Sequence, residues 1–115
     1  MIYLVTNNKH LFDCSTYEWC SVEYSIEYLS KLSIIGIDTE TTGFSAHSDK
    51  ILCLQLGDYN NQFVIDNTID IKIYRHILED ASKLLLFQNA QFDLRFFIHY
   101  GFNIFKFNWK TFYFK

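Results

Sequence analysis

Two carboxylates separated by a single residue, Asp38 and Glu40, are the strongest chemical signal in the sequence. They follow Ile34-Ile35-Gly36-Ile37, a short β-branched apolar run next to a glycine-containing loop, which reads as a buried strand. Side chains alternate along a strand, so both acids leave the same face roughly 6–7 Å apart, with Gly36 clearing space beside them. Hard divalent cations such as Mg²⁺ take oxygen ligands, and two-cation sites hold their ions roughly 3.5–4 Å apart. An Asp and a longer Glu on one face can serve such a pair. A bare Asp-x-Glu is also what a strand running into a solvated acidic turn looks like.

A second acidic position lies farther along. Leu84-Leu85-Leu86-Phe87 reads as a strand buried on both faces, and it runs directly into Gln88-Asn89-Ala90-Gln91-Phe92-Asp93. Asn89 is a natural N-cap for a helix reaching about Tyr100, with Gly101 as its stop. Phe92, Phe96 and Tyr100 recur at helical spacing and predict a core face, with Asp93 beside it in the first turn. There the helix dipole favours a carboxylate, which by itself accounts for an acid at that position.

The elements that must hold these acids can be read in order. Met1–Val5 is an apolar segment fit for a strand. Val22, Ile26, Leu29 and Leu32 recur at helical spacing behind Ser21, a candidate N-cap. After the acidic strand, Thr41 to Lys50 is a loop and Ile51–Leu56 a second buried strand. Asp58-Tyr59-Asn60-Asn61 is rich in turn formers, and Phe63-Val64-Ile65 makes a third strand. Three strands with short connections predict an antiparallel meander. Asn67 and Asp70 can open a helix in which Ile71, Tyr74, Ile77, Leu78 and Ala81 share a face. A helix between two strands implies a crossover, hence a parallel pairing near the sheet centre. The fold class is therefore α/β with a mixed sheet. Ile104–Phe114 alternates apolar and polar residues and predicts one more strand.

The 115 residues suffice for one domain with a real core but not for two. Half are apolar, which excludes a disordered chain, and aromatics are heavily used, 12 Phe and 8 Tyr, with much of that content in the last quarter. The formal net charge of −3 offers no general attraction to a polyanion, yet no acid follows Asp93 while Arg95, Lys106, Lys110 and Lys115 do. Cys14, Cys20 and Cys53 form no Cys-x-x-Cys pair, and His10, His47, His76 and His99 are scattered, so a zinc site is not expected. Reduced thiols, and no apolar run near the roughly 20 residues of a membrane span, lead to the expectation of a cytoplasmic protein without a membrane partner.

Taken together, a strand ending in Asp38-Thr39-Glu40-Thr41-Thr42-Gly43-Phe44 and a strand-to-helix turn Gln88-Asn89-Ala90-Gln91-Phe92-Asp93 resemble the DnaQ-like (DEDD) 3′–5′ exonuclease superfamily. The resemblance is strongest to the proofreading domain of family A DNA polymerases, phage versions especially, and covers roughly residues 33–104. It implies a ribonuclease H-like mixed sheet and a site holding two divalent ions, Mg²⁺ or Mn²⁺. It further implies that Asp38, Glu40 and Asp93 are the metal-binding, catalytic carboxylates. By the same resemblance Phe44 lies against the terminal base, Gln88 and Asn89 are polar groups near the substrate, and Thr39 and Thr41 are backbone-side contacts. The implied partner is a single-stranded DNA 3′ end, with RNA as the other substrate class.

The family also carries a third motif, a Tyr or His followed by a fourth acidic ligand, and no Asp or Glu follows Asp93. Near Trp109-Lys110-Thr111-Phe112, where relatives often carry Asp-Thr, Lys110 stands at the Asp position. The expectation is a single partial domain over residues 1–115, C-terminally truncated or split, completed by a downstream polypeptide that supplies the missing motif and a polymerase domain. The alternatives are a catalytically incomplete module that binds nucleic-acid ends, and a structural subunit docking through Phe112-Tyr113-Phe114.

Overall fold

The computed structural model describes residues 1–8 and 17–111. Among these described residues, seven strands form one sheet: β1 (Ile2–Val5), β2 (Glu18–Trp19), β3 (Ile34–Thr41), β4 (Ile51–Gly57), β5 (Gln62–Asp66), β6 (Leu84–Phe87) and β7 (Trp109–Thr111), in the spatial order β2-β1-β5-β4-β3-β6-β7. β3, β4 and β5 are the expected antiparallel meander. β6 lies parallel to β3, with Ile34 opposite Leu84 and Ile37 opposite Phe87. The connection between β5 and β6 passes through a 3-10 turn, Ile71–Tyr74, that runs into helix α2, Arg75–Leu78. This is the crossover that a parallel pair requires. The short β2, which sequence reading did not anticipate, pairs with β1, and β1 runs parallel to β5.

Alternation along the strands sorts the residues into two faces. Ile35, Ile37, Leu54, Leu56, Phe63, Ile65, Leu85 and Phe87 are buried in one core with Leu29 of helix α1 (Val22–Ser30), Tyr74, Leu78, and Phe96 and Phe97 of helix α3 (Ala90–His99). Ile34, Gly36, Asp38 and Glu40 leave the opposite face, which stays partly open among the described residues. β6 is accordingly buried on one face only, because Leu84 and Leu86 lie on the open side, whereas its continuous apolar run predicted burial on both.

Side-chain chemistry fixes the helix ends. The Ser21 hydroxyl accepts from Tyr24 N at 3.0 Å, as an N-cap should. At the other end of α1, Lys83, only 7% exposed, donates its Nζ to Ser30 O at 2.6 Å and Leu32 O at 2.7 Å. A cation there satisfies two carbonyls and complements the helix dipole. Asp70 caps the next turn, but the helix ends at Leu78, short of Ala81. Asp80 instead closes a turn by accepting from Ser82 N at 2.9 Å. Arg75 donates to Gly101 O at 2.6 Å and pairs with Glu79 at 3.1 Å, which fastens α2 to the turn after α3. Gly101 has φ 93°, the left-handed conformation that ends a helix and favours glycine. Among the described residues, 104–111 is not one strand: Asn103 caps a 3-10 turn at Ile104–Lys106, and Trp109–Thr111 joins the sheet beside β6. The expected Phe112-Tyr113-Phe114 docking cluster lies outside the described residues, as does Cys14.

Candidate active site

β3 carries its acids where the ladder breaks. Asp38 pairs with Gln55 and Glu40 with Cys53, and the register shifts between Glu40 and Thr41. A bulge at a strand end bends the chain and re-aims its last side chains. Asp38 sits on the open face, lining a groove of ≈ 550 Å³ with Gly36, Gly57, Leu86 and Gln88. Its Oδ1 accepts from Thr39 N at 3.0 Å.

The loop after β3 is braced by its own polar groups. Thr41 Oγ1 donates to Gly43 O at 2.7 Å, Thr42 Oγ1 to Asp49 Oδ1 at 3.0 Å, and Ser45 N to Asp49 Oδ2 at 2.9 Å. This bracing holds up Phe44, 87% exposed, whose ring meets Phe92 of α3 edge-on at 6.3 Å between centroids. A large apolar ring held in water by an ordered loop is suited to stacking. Gln88 and Asn89 are both exposed, and Asn89 caps α3 by accepting from Phe92 N at 3.4 Å.

Asp93 is the unusual group. It belongs to the buried face of α3 with Ala90, Leu94, Phe96 and Phe97, while Phe92 and Tyr100 lie at the margin of the face they were expected to define. Only 2% of Asp93 is exposed. Thr39 Oγ1 donates to its Oδ1, and Oδ2 has no hydrogen-bond partner among the described residues. Burial pushes its carboxyl up to about 6, against the Thr39 hydroxyl that favours the charged form, and the charges of Asp38 and Glu40 push the same way as burial. That repulsion ties the third acid electrostatically to the first two.

The three acids are not gathered into a ready cage. Among the described residues, no three His, Cys, Asp or Glu side chains stand together closely enough to hold an ion. Thr39 points to the helix face, opposite Asp38 and Glu40, and its hydroxyl donates to Asp93. The chemistry of the donor set still fits a hard cation. Three carboxylates supply oxygens alone, an unpartnered buried oxygen is among them, and neither ion pair of the described residues involves any of the three.

Two neighbours escaped sequence reading because they depend on cross-strand or long-range contact. Cys53, opposite Glu40, has its thiol pushed up by burial and then by the Glu40 charge. Tyr100 accepts Ile51 N at 2.8 Å, which anchors the C-terminal end of α3 to the start of β4.

A mixed sheet with an acid pair near the end of an interior strand, and a third acid in the first turn of the helix after the adjacent parallel strand, defines a ribonuclease H-like exonuclease fold. The profile of the 3′–5′ exonuclease family matches residues 19–111, and the chain belongs to that family. Over 79 residues, 67% of the chain, it is 33% identical to DNA polymerase I of Aquifex aeolicus (strain VF5), and the match spans 12% of that protein. Two solved structures share the fold. Escherichia coli RNase D, an exoribonuclease involved in structured RNA processing, is 21% identical with a TM-score of 0.61, over 83% of this chain and 23% of its own. Brucella melitensis NrnC with bound Mg²⁺ is 19% identical with a TM-score of 0.55, over 85% of this chain and 42% of its own. The chain thus spans less than half the length of each of these proteins. No helix among the described residues is long and apolar enough to cross a membrane.

Proposed function

We propose that this domain hydrolyses phosphodiester bonds at the 3′ ends of DNA, with Asp38, Glu40 and Asp93 as its ligands for two divalent cations. The observation that carries the reading is Asp93, a buried carboxylate whose Oδ2 has no hydrogen-bond partner among the described residues, repelled by an acid pair that makes no ion pair among those residues. Bound cations would supply an activated water and charge stabilisation of the departing 3′-oxygen. The chain's own residues bind and orient. Asp38 and Glu40 hold the open-face side of the site, and Asp93 holds the side nearer α3. Phe44 stacks on the terminal base, with Gln88 and Asn89 as polar groups beside the strand end. The Thr41 hydroxyl braces the loop under Phe44.

No Asp or Glu follows Asp93, so the fourth acidic ligand of the family pattern is absent from these 115 residues. Identity to a DNA polymerase favours DNA. The fold shared with an exoribonuclease keeps RNA as the second reading.

The test is digestion of 5′-labelled single-stranded DNA and RNA with Mg²⁺ or Mn²⁺, by the chain alone and with the polypeptide that completes it. The expected result is one-nucleotide shortening from the 3′ end, DNA over RNA, lost in Asp38→Ala. Full activity of the 115 residues alone would refute the need for a complement. Cleavage by Asp38→Ala at the parent rate would refute the assigned roles, and tight end-binding without turnover in the completed protein would favour a binding module.

A further inference from the structure

Asp93 reaches the site from a helix, 54 residues from Thr39 in sequence, and among the described residues one side-chain hydrogen bond joins that helix to the strand carrying the other two acids. That contact is the Thr39 hydroxyl. Thr39 stands between Asp38 and Glu40, is 7% exposed, and projects to the face opposite theirs, where it meets Asp93 Oδ1. Its backbone N–H meanwhile donates to Asp38 Oδ1 at 3.0 Å. A single residue thus holds one carboxylate through its amide and another through its hydroxyl, and fixes their relative positions. Holding Oδ1 leaves Oδ2 as the oxygen without a partner among the described residues.

We propose that Thr39 is a positioning residue: it tethers Asp93 to the strand bearing Asp38 and Glu40, and so presents the free oxygen of Asp93 to a divalent cation shared with that pair. The inference rests on the metal-binding reading of these acids, and it gives the middle residue of Asp38-Thr39-Glu40 a task distinct from touching substrate. Partners that orient metal ligands are worth about 10–100-fold in metal affinity. Valine has the same shape as threonine and keeps the strand preference while removing the donor. Serine restores the donor with one methyl fewer.

The experiment compares the parent, Thr39→Val and Thr39→Ser by calorimetric titration of Mn²⁺, by thermal melting, and by the side-chain carboxyl ¹³C signal of Asp93. Thr39→Val is expected to weaken Mn²⁺ binding by about 10-fold or more and to move the Asp93 signal. Thr39→Ser is expected to lie within a few-fold of the parent on both readouts. Parent-like Mn²⁺ affinity in Thr39→Val would overturn the proposal, as would Thr39→Ser failing as badly as Thr39→Val while still melting like the parent. If Thr39→Val does not fold, Thr39→Ala, which also lacks the donor, takes its place: Mn²⁺ affinity and an Asp93 signal like the parent's would overturn the proposal. A parent that binds no Mn²⁺ would sink the metal reading itself. The Asp93 signal would then judge the tether alone, and an unmoved signal in Thr39→Val would overturn it.

Discussion

Replacing Asp93 by Asn should make the metal-free protein more stable at neutral pH, a direct consequence of burying a carboxylate with one oxygen unpartnered. The carboxyl titrates near 3.8 when unfolded and is pushed up to about 6 when folded. The folded state therefore binds this proton more tightly, and stability falls as pH rises through the window between those values. At roughly 1.4 kcal/mol for each tenfold change, the full difference is about 3 kcal/mol above that window. Asn is uncharged at every pH, has nearly the same shape, and still offers an oxygen to the Thr39 hydroxyl. Asp93→Asn should thus gain up to about 3 kcal/mol at pH 7.5, roughly 12 °C in Tm for a chain of this size. Near pH 4 the gain should shrink to a few tenths of a kcal/mol. Thermal or urea unfolding of both proteins from pH 4 to 7.5, without divalent ions, reads this directly. A gain that does not depend on pH, or an Asp93→Asn protein less stable at pH 7.5, would refute the electrostatic reasoning.

Two other substitutions separate surface from core. Phe44→Ala should weaken binding of a single-stranded 3′ end by about 1–3 kcal/mol in a fluorescence titration while leaving Tm unchanged, since the ring is 87% exposed. Equal binding by both proteins would remove Phe44 from the substrate path. Lys83→Met keeps the apolar stem but deprives Ser30 O and Leu32 O of their donor, and should cost about 1–3 kcal/mol in urea unfolding. A loss below ~0.5 kcal/mol would show that water replaces the ammonium without penalty.

Local signals made much of this fold legible. Ser21, Asn89 and Gly101 each do what their residue type predicts at a helix end, because capping depends only on nearby backbone groups. The meander and the parallel β3–β6 pair followed from strand spacing and the intervening crossover. Three features were hidden for specific reasons. The open face of β6 could not be read from four consecutive apolar residues, since alternation carries no signal when every position is apolar. Residues Ile104–Lys106 alternate like a strand, but the Asn103 side chain accepting from Phe105 N at 3.2 Å turns them into a 3-10 turn. Asp93 was read beside the core face and not in it, because a carboxylate is not expected inside a helix's buried stripe, and the Thr39 contact that eases its burial is invisible at this sequence separation. Of the site, the acids and the exposed Phe44 were legible as residue types. Their arrangement around Thr39 was not.

Whether Asp38, Glu40 and Asp93 act on one set of cations is tested most directly by calorimetric titration of Mn²⁺ into the parent, Asp38→Asn, Glu40→Gln and Asp93→Asn. The expected result is saturable binding by the parent, weakened at least ~10-fold by each substitution. Parent binding that survives Asp93→Asn unchanged would contradict it, since the buried acid would then belong to the core and not to the site.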